Sequence, residues 1–211
     1  MARGRFISLE GIEGAGKSTL ARSLHDELAR RGIDVLSTRE PGGTPLAESL
    51  RDLVLRRGNE TISPAVETLI MFASRGVHLD NAVRPALETG RWVLCDRYTD
   101  ATYAYQGGGR GVPLQLIDQL AAGVQQGLWP DCTLLLDLPP EEGLARARSR
   151  NGNAASDRFE SERLAFFTRV RSAYLERASL EPKRVHVLDA RQDAAQVLRA
   201  ALAALDLPAG A

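Results

Sequence analysis

Phe6-Ile7-Ser8-Leu9-Glu10-Gly11-Ile12-Glu13-Gly14-Ala15-Gly16-Lys17-Ser18-Thr19-Leu20 contains, in order, a short apolar run, a glycine-rich turn and the start of a helical repeat. Leu20, Leu24 and Leu28 recur at i, i+4 and i+8, the spacing of one helix face, and Gly32 follows two arginines where a helix C-terminus is expected. Gly11, Gly16, Lys17 and Ser18 match G-x-x-x-x-G-K-[ST] between that strand and that helix, the context the motif requires. The residue types follow from the chemistry of a polyphosphate. Gly11, Gly14 and Gly16 let the backbone turn and bring its N–H groups onto phosphate oxygens at a helix N-terminus, whose dipole favours anions. Lys17, expected to project from a solvated loop, would bridge the β- and γ-phosphates of ATP, and the Ser18 hydroxyl would ligate Mg2+.

Outward from this segment, apolar β-rich runs recur at Phe6 to Leu9, Ile33 to Leu36, Trp92 to Cys95, Thr133 to Leu136 and Val185 to Leu188, separated by stretches of helical period. Short, almost continuous apolar strands alternating with helices predict an α/β domain, a five-stranded parallel sheet flanked by helices. Leu46, Leu50, Leu53 and Val54 mark a second helix that stops near Gly58. Ser63 and Pro64 are the N-cap and first-turn residues of a longer one, which Pro85 kinks or divides before Gly90. Gln106 to Pro113 is glycine-rich and reads as loop. Pro139 and Pro140 open another helix, Asn151 to Ser156 is a polar break, Phe159 to Arg177 resumes helical spacing, and the alanine-rich tail from Ala194 reads as a terminal helix.

With 211 residues, 44% hydrophobic and 26% charged, the chain is read as a single globular domain, 1–211. It has no apolar run of the ~18 residues that a membrane span needs and no signal-like leader, so a cytoplasmic protein is expected. Its 27 basic and 27 acidic residues cancel, which removes any global field for nucleic acid or an anionic membrane. An anion site must then be local. Only Lys17 and Lys183 are lysines, so the one in the glycine-rich turn stands out. Cys95 and Cys132 have the spacing of neither a zinc site nor a disulfide framework and read as core thiols.

A phosphate-binding loop does not specify a reaction. Neither an N-K-x-D element for guanine nor a basic, aromatic-laced stripe for nucleic acid is found. After the third strand comes Asp96-Arg97-Tyr98, at the C-terminal edge where parallel sheets bind ligands. Asp96 suits a Mg2+ shell, and Arg97 suits the clamping of an acceptor phosphate.

Glu10 to Thr19, Thr38-Arg39-Glu40-Pro41-Gly42-Gly43-Thr44, Asp96-Arg97-Tyr98 and Tyr103-Ala104-Tyr105-Gln106-Gly107-Gly108-Gly109-Arg110-Gly111 together resemble, in order, the motifs of the thymidylate kinase family, of the P-loop nucleoside monophosphate kinase superfamily. The resemblance spans nearly the whole chain. It implies an enzyme, soluble and cytoplasmic, that transfers the γ-phosphate of ATP to dTMP with Mg2+, giving dTDP and ADP for dTTP biosynthesis, and a homodimer with no nucleic-acid or membrane partner. A kinase for another nucleotide or nucleoside, or a P-loop ATPase or switch, is the alternative.

On the same resemblance Gly11, Ile12, Glu13, Gly14, Ala15, Gly16, Lys17, Ser18 and Thr19 would bind ATP. Arg39, Arg51, Arg75 and Arg97 would hold the dTMP phosphate, Phe72 would stack on thymine, and Thr102, Tyr105 and Gln106 would line sugar and base. The family usually places its stacking Phe four residues before its Arg, whereas Met71 is at that place here and Phe72 follows it. Ile12-Glu13-Gly14-Ala15 holds no arginine, which resembles the bacterial type, with catalytic arginines on a lid. The lid would be 146–158, with Arg150 and Arg158 as its candidates and Glu13 contacting the acceptor sugar or helping to position Mg2+.

Overall fold

A computed structural model describes residues 3–55, 60–151 and 157–207, and only the backbone of 150, 151 and 157–161. The elements run β1 (Phe6–Glu10), α1 (Lys17–Arg30), β2 (Val35–Arg39), α2 (Pro45–Leu55), α3 (Pro64–His78), a π-helical turn (Leu79–Val83), α4 (Arg84–Glu88), β3 (Trp92–Asp96) and α5 (Thr99–Thr102). A second π-helical stretch (Tyr103–Gly109) follows, then α6 (Leu114–Gln125), β4 (Cys132–Asp137), α7 (Pro140–Asn151), α8 (Asp157–Leu180), β5 (Val185–Asp189) and α9 (Ala194–Ala204). All strand pairs are parallel, in the order β2-β3-β1-β4-β5. Every residue of β1 is buried, as a central strand covered on both faces must be. Among the described residues no helix is long and apolar enough to cross a membrane.

Local chemistry explains where the boundaries fall. β2 begins at Val35 rather than Ile33 because the end of α1 uses the intervening residues: Gly32 takes φ 76° and donates to Ala29 O, and Ile33 N–H donates to Leu28 O. Ser63 caps α3 by accepting from Val66 N–H, with Pro64 at the first helical position. Pro85 does not break the chain that follows. The preceding turn widens, Arg84 N–H reaching back to Leu79 O, and this absorbs the ring that cannot donate.

The glycine-rich run expected as loop is helical over Tyr103–Gly109. Tertiary packing overrides propensity here, because α8 lies directly on it. A Cβ on Gly108 would come 2.6 Å from Ala173 Cβ, and one on Gly109 would come 2.6 Å from Phe166 Cε2. The glycines are what allow that approach. Cys95 and Cys132 are buried free thiols.

The register sets the functional edge. Leu9 of β1 lies opposite Asp96 of β3, and Asp96 lies opposite Arg39 of β2, so the starts of three loops come out side by side at the C-terminal ends of the strands.

Candidate active site

The glycine-rich loop leaves β1 at that edge. Gly11 has φ 135°, and a Cβ there would lie 2.5 Å from Leu136 O; Gly14 has φ 82°, and a Cβ would lie 2.2 Å from Gly143 O. The loop therefore runs flush against the end of β4 and the first turn of α7. Lys17 is not solvated, as the sequence suggested, but 8% exposed, with Nζ donating to Gly11 O (3.0 Å) and Ile12 O (3.1 Å). Burial, and then the Arg97 guanidinium, push its pKa down to about 7 against the pull of Asp96, Glu10 and Glu13. Ser18 and Thr19 are exposed on the first turn of α1.

Beyond the loop Ala15, Gly16 and Thr19 share a cavity of about 160 Å³ with Ser23, Leu136, Arg146, Gln192 and Val197. Arg146 donates to Ala190 O at 3.0 Å. Nothing in the sequence reading marked this recess, since its far wall comes from the turn before α9.

Asp96 faces the loop from β3, and its Oδ1 is buried without a hydrogen-bond partner. An unsatisfied buried carboxylate oxygen near a serine hydroxyl's loop, with oxygen donors alone, fits Mg2+, which takes few protein ligands and completes its shell with phosphate and water. No group of three or more His, Cys, Asp or Glu placed to hold a metal occurs among the described residues, so no all-protein cage competes with that assignment.

On the acceptor side a cavity of about 320 Å³ is lined by Arg39, Arg51, Met71, Arg75, Asp96, Arg97, Thr102, Tyr105 and Gln106, together with Glu40, Pro41, Leu55, Tyr98 and Ala101. The four arginines are held differently. Arg39 is exposed and paired with Glu48 at 2.9 Å, and Arg51 Nη1 donates to Pro41 O at 2.9 Å. Arg75 is buried: Nε donates to Glu40 Oε2 (2.6 Å), Nη2 to Thr102 Oγ1 (3.0 Å), and Nη1 is buried with no partner. Burial opposes ionisation of Glu40, but Arg75 and His78 outweigh it and hold the carboxyl below its ordinary range. Arg97 has φ 73°, and its guanidinium donates to Tyr105 Oη (2.9 Å) and Tyr174 Oη (3.3 Å). Burial works against its charge, yet Tyr105, Tyr174, Glu10 and Asp96 leave its pKa raised.

Phe72, expected against thymine, is placed elsewhere. It is 1% exposed and packs with Tyr103, Val112, Ile117 and Ala121, beneath Arg75 with its guanidinium carbon 4.6 Å from the ring centre, while Met71 takes the place in the cavity wall. A helix turns 100° per residue, so adjacent positions cannot share a face. Thr102, Tyr105 and Gln106 do come together, across the junction of α5 and the π-helical stretch; Gln106 Nε2 donates to Glu67 Oε1 at 2.8 Å.

The side chains of Arg150 and Arg158, the candidates of the 146–158 lid, lie outside the described residues. A cation that the sequence reading passed over does reach the loop: Arg163 of α8 contacts Glu13 Oε2 at 3.5 Å. Tyr174 and Glu10 were also passed over. Tyr174 lies far along the chain, and Glu10, one residue past the expected strand and quoted with the phosphate-loop motif, has no role in that motif that would mark its contacts.

A five-stranded parallel sheet with this loop on its central strand and an arginine-lined cavity beside it defines a P-loop phosphotransferase of the nucleoside monophosphate kinase type. The Thymidylate kinase family model matches residues 9–201. A thymidylate kinase of Alkalilimnicola ehrlichii is 52% identical over 98% of this chain and 92% of its own length, and one of Pseudomonas entomophila is 54% identical over 93% and 92%. The crystal structure of a thymidylate kinase from Ehrlichia chaffeensis superposes with a TM-score of 0.79 at 32% identity, over 97% of this chain and all of that one. The chain belongs to the thymidylate kinase family.

Proposed function

We infer that this chain is an ATP-dependent phosphotransferase that passes the γ-phosphate of ATP to dTMP, giving ADP and dTDP, in dTTP synthesis. The observation that carries the reading is the cavity beside the phosphate loop, where Arg39, Arg51, Arg75 and Arg97 converge with Asp96. An oxygen of the dTMP phosphate attacks the γ-phosphorus and the bond to the β,γ-bridging oxygen breaks. A phosphate oxygen is already a nucleophile, so no strong base is required, and catalysis rests on alignment and charge stabilisation. Loop N–H groups and Lys17 hold the β- and γ-phosphates, and the recess bounded by Arg146 and Gln192 receives the adenosine end. The Ser18 hydroxyl and Asp96 would hold Mg2+, which would supply neutralisation of the phosphate charge.

The arginines divide the labour. The charge of Arg75 is already matched by Glu40, so its unpaired Nη1 suits a neutral acceptor such as a pyrimidine carbonyl, at the end of the cavity that Met71, Thr102 and Gln106 share. Arg97, beside Asp96 and the loop, serves the phosphate end. The enzyme works in the cytoplasm as a homodimer, the exposed apolar side chains of α2 and α3 supporting the second part of that statement. ADP release measured with dTMP, dUMP, dCMP and AMP as acceptors tests the reading. Turnover is expected with dTMP above the others, and ATP hydrolysis at equal rate without any acceptor would overturn it in favour of an ATPase or switch.

A further inference from the structure

Arg97 is held in a conformation that needs support. At φ 73° a residue with a side chain adopts the left-handed region only where its surroundings over-determine it. Backbone contacts flank it: its own N–H donates to Leu9 O at 2.9 Å and Cys95 Sγ donates to its carbonyl at 3.0 Å. The next residue is fixed by a side chain, since Tyr98 N–H donates to Glu10 Oε1 at 2.6 Å. The other oxygen of the same carboxyl, Oε2, accepts from Tyr174 Oη at 2.7 Å, and Tyr174 Oη accepts in turn from Arg97 Nη1 at 3.3 Å. A guanidinium cannot accept, so Arg97 donates to Tyr174, and with Glu10 ionised the single hydrogen of the phenol goes to Oε2.

Glu10 and Tyr174 are 0% and 2% exposed, and neither lines the acceptor cavity. They are not placed to touch the acceptor. We propose that Glu10 and Tyr174 are positioning residues that aim the Arg97 guanidinium at the acceptor phosphate, Glu10 fixing the backbone on one side of Arg97 and, through Tyr174, its side chain on the other. Glu10 is also the last residue of β1, so one carboxyl ties the start of the donor loop to the acceptor arginine, and Tyr174 ties both to α8. Buried hydrogen-bonded networks of this kind rigidify and specify one arrangement. The cost of burying the charge is visible: burial, then Asp100, push Glu10 up to about 8 despite Arg97.

The inference rests on Arg97 serving the acceptor phosphate, and the experiment separates the two. Tyr174→Phe deletes one hydroxyl and keeps the ring packed on Tyr105. Assayed above pH 8, where Glu10 is ionised, Glu10→Gln keeps a carbonyl for Tyr98 N–H but turns the acceptor facing Tyr174 into a donor. Each is made alone and together with Arg97→Ala, and kcat, KM for both substrates and the thermal midpoint are measured. In the wild-type background each is expected to lower kcat about 10-fold or more, with KM for ATP held within about 2-fold, because a misaimed guanidinium costs alignment rather than donor binding. In the Arg97→Ala background each is expected to cost less than about 2-fold, since there is no guanidinium left to aim. Equal losses in the two backgrounds would mean a general packing role and overturn the proposal. If Glu10→Gln does not fold, the Tyr174→Phe cycle alone decides. Arg97→Ala turning over at the wild-type rate would instead overturn the role given to Arg97 and take the positioning with it.

Discussion

The Lys17 ammonium sits where burial and the Arg97 guanidinium both act against its charge, which gives it a titration within reach of experiment. The folded chain releases the Lys17 proton near pH 7, whereas the unfolded chain keeps it until its ordinary value of 10.5. Between those values unfolding takes up a proton, so raising the pH favours the folded state, by up to ~1.4 kcal/mol per pH unit from this one group. Denaturant unfolding of the nucleotide-free protein from pH 7 to 9 should show wild type gaining stability relative to Lys17→Met. An unchanged difference across that range would place Lys17 in solvent. The motif made Lys17 and its partners legible, because a loop for phosphate is a contiguous stretch of sequence. Glu10, Arg163 and Tyr174 were not legible, since what makes each of them matter is a contact with a residue 88, 150 and 164 positions away. Phe72 and Met71 differ by a single step along α3, and only the packing of α3 on α6 says which of them faces the cavity.

At the scale of elements, alternation of apolar runs with helical periods was enough to read five parallel strands and their flanking helices, because the inner strands β1 and β4 are buried on both faces and leave an almost unbroken apolar signature, while the edge strands β2 and β5 keep a shorter one. The stretch after Thr102 defeated the same reasoning. Three consecutive glycines signal a loop where only local preference acts, and here the close approach of α8 decides instead. Gly108→Ala should therefore be costly despite the higher helix propensity of alanine. Its Cβ would meet Ala173 Cβ at 2.6 Å and Arg169 O at 3.2 Å, neither of which can swing aside. Overpacking of this kind costs ~1–3 kcal/mol. Because Tyr105 and Gln106 project from the same stretch into the acceptor cavity, KM for dTMP should rise while KM for ATP holds. Thermal unfolding and steady-state kinetics check both parts, and a stabilised variant with unchanged KM would mean that the stretch has room to spare.

At the scale of the whole molecule, α2 and α3 pack on each other yet leave Leu46, Leu53, Leu55, Ile62, Val66 and Leu69 between 38% and 60% exposed on or beside them. An amphipathic stripe such as Leu46, Leu50, Leu53 and Val54 reads the same whether it faces its own core or a second chain, so the helix is legible there and the dimer is implied only by resemblance. A clustered apolar surface of this kind is what an interface between copies would cover. The purified chain should sediment at twice its 22.9 kDa at micromolar concentration. Leu69→Glu puts a charge on that surface, 48% exposed in the single chain and not among the residues that line the acceptor cavity, so it should separate the copies without unfolding either. The consequence should reach catalysis, because the far end of α2 supplies Arg51 and Leu55 to the acceptor cavity and would lose its support. The monomeric variant is expected to bind dTMP more weakly with KM for ATP little changed. A wild-type chain that sediments as a monomer, or a Leu69→Glu variant that stays dimeric with full activity, would show that this apolar face is not where two copies meet.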